Sequence, residues 1–342
     1  MAAVLAGIGG FLPPRVVTNE DLSATLDTSD EWIRTRTGIS ERRFVSGGLS
    51  TGGLAVEAGA RALRSARADA VDAVDAVVVA TTSPERLCPA VAPEVASRLG
   101  LGQVAAFDLT SACSGFLYGL AASAGLIASG AADTVLFIGA EAFTTLVNQQ
   151  DRSTAPIFGD GAGAVVLRRG EPDEPGALGP FDLGSDGSLA DLLAVPAGGS
   201  RQRSADGGLG HGAVPTGDWY LRMEGRPLYQ QAVEHMTRSA QSVLKHADWS
   251  VADVDWFVGH QANVRIVRAV AEELELPEER VAVNIDRVGN TLSASVPLLL
   301  NDIAARGDLR PGDRVLLSAF GAGLSWGSAV LVWPDVAAVP VS

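Results

Sequence analysis

Of the 26 basic residues in this 342-residue chain, Lys245 is the sole lysine. Such a skew toward arginine follows from the codon composition of a GC-rich genome and carries no functional weight. Positive charge is scarce altogether: 40 acidic residues leave a net charge of −14 and a pI near 4.7. A mean field of that sign repels phosphate backbones, so nucleic acid is excluded as the main partner, although a local basic patch could still hold a phosphorylated molecule. Cysteine is nearly absent too. Cys88 and Cys113 cannot form a disulfide framework in a chain this long, which fits a reduced, cytosolic compartment. No apolar run approaches the roughly 20 residues of a membrane span. The apolar start, Met1 to Gly10, has no basic leader and runs into Pro13-Pro14, so it is expected to be a first strand and not a signal peptide. With 47% hydrophobic and 19% charged residues, the chain is neither disordered nor fibrous. Its length allows two domains or one large α/β unit.

Short β-branched runs alternate with longer alanine-rich stretches, the pattern of a mostly parallel sheet covered by helices. Strands are predicted at 76–80, 134–139, 164–167, 256–258, 314–318 and 329–332. Helices are predicted at 54–66, 114–129, 225–246, 263–274 and 293–306. The order of elements recurs. Val74-Asp75 is answered by Val254-Asp255, and Asp133 in ADTVLFIGAEA by Asp313 in GDRVLLSAFGAG, each 180 residues later. A third echo links GAGAVVL near Gly161 to WGSAVLV near Trp326. Between the first two pairs lie FDLTSACSGFLYGL and VNIDRVGNTLSASVPLLL, an alignment that makes Cys113 and Asn290 equivalent helix starts. The Gly-, Pro- and Ser-rich stretch from Gly170 to Asp218 is expected to be an exposed excursion carrying His211 as a solvated histidine.

Cys113 follows a strand and a small polar turn and precedes a helix. A thiol at a helix N-terminus meets free N–H groups and the positive dipole end, which favour the thiolate and supply an oxyanion site. A small buried cysteine is the bland alternative on local sequence. His260 ends the strand WFVGH, at the carboxyl edge where open sheets place ligands. His235 and His246 fall within a helix without metal-ligand company. Asn290, in Gly289-Asn290-Thr291, offers a neutral amide to a carbonyl or enolate oxygen; otherwise it is a turn asparagine. GDGAGA at Gly159 and GIGG at Gly7 are weak dinucleotide signals, and no nicotinamide cofactor or metal is assigned.

At these residues the chain resembles the β-ketoacyl-acyl carrier protein synthase III family of the thiolase superfamily. The resemblance runs from TSDEWIRTRTGISERR (28–43) through the cysteine segment, DRSTAPIFGDGAGA, GHQANVRI and GNTLSASVP to AFGAGLSWGSA. It implies a duplicated five-layered αβαβα fold with two mixed sheets and pseudo-twofold halves, 1–175 carrying the cysteine and 176–342 carrying the histidine and asparagine. It further implies a Cys113-His260-Asn290 set, acylation of Cys113 from acyl-CoA, and decarboxylative condensation with malonyl-acyl carrier protein, without a cofactor or metal. The oxyanion hole would be the N–H groups of Cys113 and Ala322. Trp32 would stack on adenine with Arg152 on its other face; Arg36 and Arg265 would meet phosphates, Asn263 the pantetheine arm, and Thr28 lies in the same matched segment. Cys88, Phe143, Leu292 and Phe320 match acyl-pocket positions, and a homodimer is implied.

Some positions depart from the family pattern. Cys88 stands where members often have a Phe that reaches across the dimer. Phe143 is bulkier than the usual aliphatic residue, and Leu292 replaces a small one. Glu272-Glu273 replace lysines that face the acidic carrier in some members, leaving Arg265 and Arg268 for that contact. Three rivals remain on sequence: an acyltransferase without condensation, a noncatalytic acyl-binding subunit, and a cysteine hydrolase. Retention of both His260 and Asn290 argues against the first, the intact cysteine against the second, and an enolate-binding amide against the third.

Overall fold

The computed structural model describes residues 1–66, 73–204 and 215–341. One sheet holds β1 (Ala2–Phe11), β4 (Ala76–Ala80), β5 (Ala105–Leu109), β6 (Thr134–Glu141) and β7 (Gly161–Gly170), in the order β1-β7-β6-β4-β5. A second holds β8 (Phe181–Ser185), β11 (Trp256–Gly259), β12 (Arg314–Gly321) and β13 (Ser325–Val332), in the order β11-β12-β13-β8. Two small ribbons, β2 (Arg15–Thr18) with β3 (Glu41–Phe44) and β9 (Leu193–Ala194) with β10 (Arg222–Met223), complete the strands. Every residue of β4 is buried, because helices cover both faces of its sheet and no alternation is needed.

The α-helices among the described residues are α1 (Asn19–Ser23), α2 (Asp30–Thr37), α3 (Thr51–Ser65), α4 (Ala92–Arg98), α5 (Gly115–Ala128), α6 (Ser200–Ser204), α7 (Gly225–His246), α8 (Val264–Glu273), α9 (Ile285–Val288) and α10 (Ser295–Ala305). Helices α3 and α4 bury Leu54, Ala58, Ala62 and Val95 against the outer face of the first sheet. Helices α7 and α8 bury Met236, Val243, Val267 and Val270 against the outer face of the second. Between the sheets, Phe116, Leu117 and Leu120 of α5 and Val296, Leu299 and Ile303 of α10 share one core with inward residues of both. The five layers expected from the resemblance are present.

The duplication is visible in the strand order, since β1, β7, β6 and β4 repeat as β8, β13, β12 and β11. The spacing of 180 holds at both ends of β6 and β12, which run 134–141 and 314–321. The repeated aspartates have one job: Asp75 accepts the Thr134 N–H at 3.0 Å and Asp255 the Arg314 N–H at 2.8 Å, tying neighbouring parallel strands at their entrances. The same spacing corrects the alignment of the two helix starts. Ala112 and Leu292 open matching 3₁₀ turns, both left-handed, with φ of 44° and 48°. Cys113 is therefore the counterpart of Ser293, and Asn290 that of Thr110. Sequence alone matched polar turns by eye; the backbone turn decides the register.

Two further expectations change. The second-half segment VNID (283–286) forms no strand and leads into α9; the bridge to Phe257 lies before it, at Val281. The stretch after Gly170 is not a plain excursion, because β8 pairs with β13 in the second sheet. His211 lies outside the described residues. The glycines of GIGG and GDGAGA serve packing: a β-carbon on Gly9 would lie 2.4 Å from Ala62 N, and one on Gly163 would lie 2.7 Å from Pro297. No helix among the described residues is long and apolar enough to cross a membrane.

Candidate active site

Cys113 sits in the turn between β5 and α5, buried among Phe143, Phe158 and Leu292. The preceding Ala112 holds a left-handed φ that costs a non-glycine residue roughly 1–2 kcal/mol, a strain that packing around the turn must sustain. Gly321, at the end of β12, lets the two halves meet here. A β-carbon there would lie 2.7 Å from Cys113 N and 3.0 Å from Cys113 Cβ. Gly321→Ala is therefore expected to displace the thiol and cut alkylation of Cys113 by at least about tenfold with loss of thermal stability, measured by peptide mass spectrometry and melting, since overpacking of this kind costs about 1–3 kcal/mol. Next to it, Ala322 is held through its carbonyl, which accepts the Ser325 hydroxyl at 2.9 Å. Ser325 Oγ in turn lies 2.8 Å from Ser114 Oγ, so the Ala322 segment is moored to the start of α5.

His260 follows β11 and is almost fully enclosed. Its backbone N–H donates to Ser318 O at 2.8 Å, and Nδ1 lies 3.0 Å from Ser295 Oγ. Ser295 Oγ already accepts the Gln261 N–H at 2.7 Å, so its own hydrogen is available for Nδ1. That network assigns the hydrogen of the neutral ring to Nε2. Nε2 is buried without a partner among the described residues, and His260 lines the same cavity as Cys113. Burial pulls the imidazole down to about 3, which favours the neutral ring.

Asn290 is placed by Gly289, whose φ of 68° suits glycine. Its backbone is pinned on both sides, N–H to Ile157 O and O from Gly159 N–H, each at 2.9 Å. Its Oδ1 accepts the Leu292 N–H at 2.9 Å, which leaves the Nδ2 hydrogens as the free end of the amide. Asn290 has no left-handed φ, but its contact with the Leu292 N–H closes an Asx turn, so it is a turn asparagine that also lines the cavity.

The thiol differs from expectation. A helix N-terminus was expected to depress it, yet burial pushes Cys113 up, with the Glu141 carboxylate adding to the effect and its own backbone N–H opposing it. An apolar, enclosed site disfavours the thiolate more than one backbone donor favours it. Cys113 rests as the neutral thiol.

Cys113, His260, Asn290, Ala322, Phe143, Leu292, Phe320, Asn263 and Arg265 all line one cavity of about 1020 Å³. Phe143 packs at 5.1 Å against Phe158 beside the thiol. Trp32, Arg36 and Arg152 stand together outside that lining: the Arg36 and Arg152 guanidinium groups lie 4.6 and 5.0 Å from the Trp32 ring, and Arg152 pairs with Asp27 at 3.2 Å. Thr28 nearby in sequence has a buried hydroxyl without a partner. Asn263 caps α8 by accepting the Arg265 N–H and donates Nδ2 to Arg36 O at 2.9 Å, which joins α2 to α8. Cys88 is exposed and outside the lining, because its loop leads outward to α4; Arg86 and Leu87 of that loop line the cavity instead. His235 stacks on Trp326 at 3.8 Å, a packing role. Sequence reading missed Ser295, Gly321 and Glu141. Only Glu141 left a trace there, an acid at the end of an apolar strand.

Residues 107–187 match the family model for 3-oxoacyl-[acyl-carrier-protein (ACP)] synthase III, and residues 244–333 match its C-terminal model. The chain is 58% identical to "Beta-ketoacyl-[acyl-carrier-protein] synthase III 3" of Streptomyces coelicolor, over 98% of each. It superposes on the crystal structure of 3-oxoacyl-(acyl carrier protein) synthase III from Pseudomonas aeruginosa with a TM-score of 0.90 and 46% identity, over 98% of this chain and 100% of that one. The priming β-ketosynthase of the R1128 polyketide pathway aligns with a TM-score of 0.88 and 34% identity, over 98% and 97% of the two chains.

Proposed function

This chain belongs to the 3-oxoacyl-[acyl-carrier-protein] synthase III family, and from that premise we propose that it loads an acyl group from acyl-CoA onto Cys113 and condenses it with malonyl-acyl carrier protein. The observation that carries the reading is the convergence on one cavity of a thiol with two neutral donors, His260 Nε2–H and Asn290 Nδ2–H. In loading, the Cys113 sulfur adds to the acyl thioester carbonyl, the C–S bond to CoA breaks, and the thiol proton leaves with the CoA sulfur. The Cys113 and Ala322 N–H groups face the oxyanion. In condensation, the malonyl unit loses CO2, and its enolate oxygen is held by His260 and Asn290. The enolate carbon then attacks the Cys113 thioester, forming the C–C bond and expelling the sulfur, which regains a proton. With one proton taken from water by the released sulfur, these steps balance with the two substrates and change no oxidation state.

A carbanion equivalent needs donors that do not quench it. A histidine kept neutral by burial, and an amide, satisfy that demand; an imidazolium or carboxylic acid would protonate the enolate. Trp32 with Arg36 and Arg152 forms the nucleotide end of the CoA site in this reading, with Thr28, Asn263 and Arg265 along the path inward. Arginine suits phosphate through charge-assisted, planar hydrogen bonds. Phe143, Leu292 and Phe320 bound the acyl chain. Arg265 and Arg268 meet the carrier, beside exposed Glu272 and Glu273. The two halves divide near residue 175, and the free thiols suit a reduced cytosolic compartment.

A homodimer is part of this reading. β5 is an edge strand of the first sheet with Phe107 exposed, and the adjoining loop exposes Leu87 and Cys88. An open apolar edge invites pairing with a second copy. Light scattering of Phe107→Asp is expected to give a monomer where the parent gives a dimer; an unchanged mass places the interface elsewhere.

The reading is tested by intact mass spectrometry after incubation with a panel of acyl-CoAs, then with malonyl-acyl carrier protein. An acyl adduct that forms on Cys113 and leaves as a β-ketoacyl carrier supports it. Loading without condensation would make the chain a simple acyltransferase.

A further inference from the structure

Glu141 ends β6, a strand otherwise apolar along its inner course, and none of its surface is exposed. Its oxygens face the Thr82 N–H at 3.1 Å, Ser83 Oγ at 2.7 Å and Thr81 Oγ1 at 3.4 Å on one side, and Ser293 Oγ at 2.9 Å on the other. Thr82 and Ser83 line the cavity, whereas Ser293 belongs to the second half. A single residue thus bridges the pocket wall and the seam between the halves.

A protonated Glu141 is compatible with the contacts of Ser293. Its hydroxyl lies 3.0 Å from Ala80 O and 2.9 Å from Glu141 Oε1. A hydroxyl donates only once, and the Ala80 carbonyl can only accept. Ser293 donates to Glu141 when that group is charged, and both contacts are kept together when Ser293 donates to Ala80 and a protonated Glu141 donates to Ser293. Burial without a paired cation favours that neutral form and pushes Glu141 up to about 7, against the hydrogen bonds from Ser83, Thr82 and Ser293 that favour the carboxylate.

In the duplication, Glu141 is the counterpart of Gly321, and Ser293 that of Cys113. Gly321 lies against Cys113 as Glu141 lies against Ser293, and the two turns pack together, with Gly115 against Ser293. Charge on Glu141 opposes charge on the Cys113 sulfur, second to burial in raising the thiol. Other titratable groups around it are engaged elsewhere. Asp160, from the approach to β7, accepts from Thr144 and the Val45 N–H; Glu85, from the loop after β4, accepts from Ser50 and the Gly52 N–H; His260 is held by Ser295.

We propose that Glu141 is a positioning residue for the thiol chemistry: as the neutral acid it joins the Thr82–Ser83 wall to Ser293 and leaves the surroundings of Cys113 uncharged, and its ionisation suppresses thiolate formation at Cys113. This rests on Cys113 being the reactive thiol, but not on the identity of its acyl donor.

The test is the pH profile of alkylation by iodoacetamide on the full chain, with peptide-level mass spectrometry separating Cys113 from the exposed Cys88. Glu141→Gln is expected to shift the Cys113 profile about one unit toward lower pH, an increase of roughly tenfold at alkaline pH, whereas Glu141→Asp keeps the parental profile. Parental pH dependence in Glu141→Gln overturns the proposal. If Glu141→Gln does not fold, Ser83→Ala replaces it: losing a donor to the carboxylate holds the proton on Glu141 to higher pH, so the Cys113 profile must move the same way. An unchanged or opposite shift overturns the proposal. Normal alkylation without acyl loading from any acyl-CoA would instead overturn the proposed function and leave this inference standing.

Discussion

Cys113→Ala is expected to abolish acyl loading from every acyl-CoA and β-ketoacyl formation with it, while malonyl-acyl carrier protein continues to lose CO2. The separation follows from the geometry. Loading needs a sulfur at the turn before α5, and alanine offers no nucleophile there. Decarboxylation needs only donors for the enolate oxygen, and His260 and Asn290 are held by Ser295, Leu292, Ile157 and Gly159, none of which depends on the thiol. The measurement is intact mass of the protein for loading and release of labelled CO2 for decarboxylation. Loss of both activities in a folded variant would show that Cys113 also organises the malonyl site.

The converse result is expected for His260→Ala and Asn290→Ala: acyl-Cys113 still forms, but condensation falls by about 10²–10³-fold each, the usual cost of one preorganised donor at developing negative charge. Single-turnover loading and carrier-product formation, measured separately, check this. The double variant should fall by less than the product of the two, because both donors act on one oxygen. If either substitution stops loading as well, that residue takes part in activating the thiol, and the neutral-donor role assigned to it is wrong.

The pH dependence carries a sign that tests the same assignment. His260 has its proton affinity depressed by burial to about 3, below its ordinary value. Between those limits the unfolded chain binds more protons than the folded one, so this group's contribution to stability is present above about pH 6.5 and is lost as pH falls toward 3. Condensation should show no loss from imidazole protonation across about pH 5 to 8. Glu141 has the opposite sign: raised from 4.5 to about 7, it binds a proton more tightly when folded, and its contribution is lost as pH rises through that window. Melting of the parent against Glu141→Gln, from pH 5 to 8, is expected to converge at the acid end and diverge in favour of the variant at the alkaline end.

Much of the architecture was legible in local composition. Fully apolar β-branched runs announced strands covered on both faces, and β4 and β6 have that burial. The predicted strands were too short at their ends, as β12 runs to Gly321 and β13 begins at Ser325, because polar or small terminal residues pair in the sheet without looking like strand formers. The repeat of Asp75 and Asp255 was readable because each tethers an adjacent strand. The pairing of Cys113 with Asn290 as equivalents was not, since equivalence lies in the left-handed φ of Ala112 and Leu292 and leaves no mark in residue type.

By itself, the sequence determined the apolar periodicity and the duplication, because these depend on residue identity and spacing along the chain, and its family resemblance singled out Cys113, His260 and Asn290, which line one cavity. Only the tertiary structure decided their states. Burial raises the Cys113 thiol against the pull of its helix, lowers the His260 imidazole, whose Nδ1 meets Ser295, and raises the Glu141 carboxyl. Desolvation and hydrogen-bond partners come from residues distant in sequence, so proton positions are set only when the two halves close on each other.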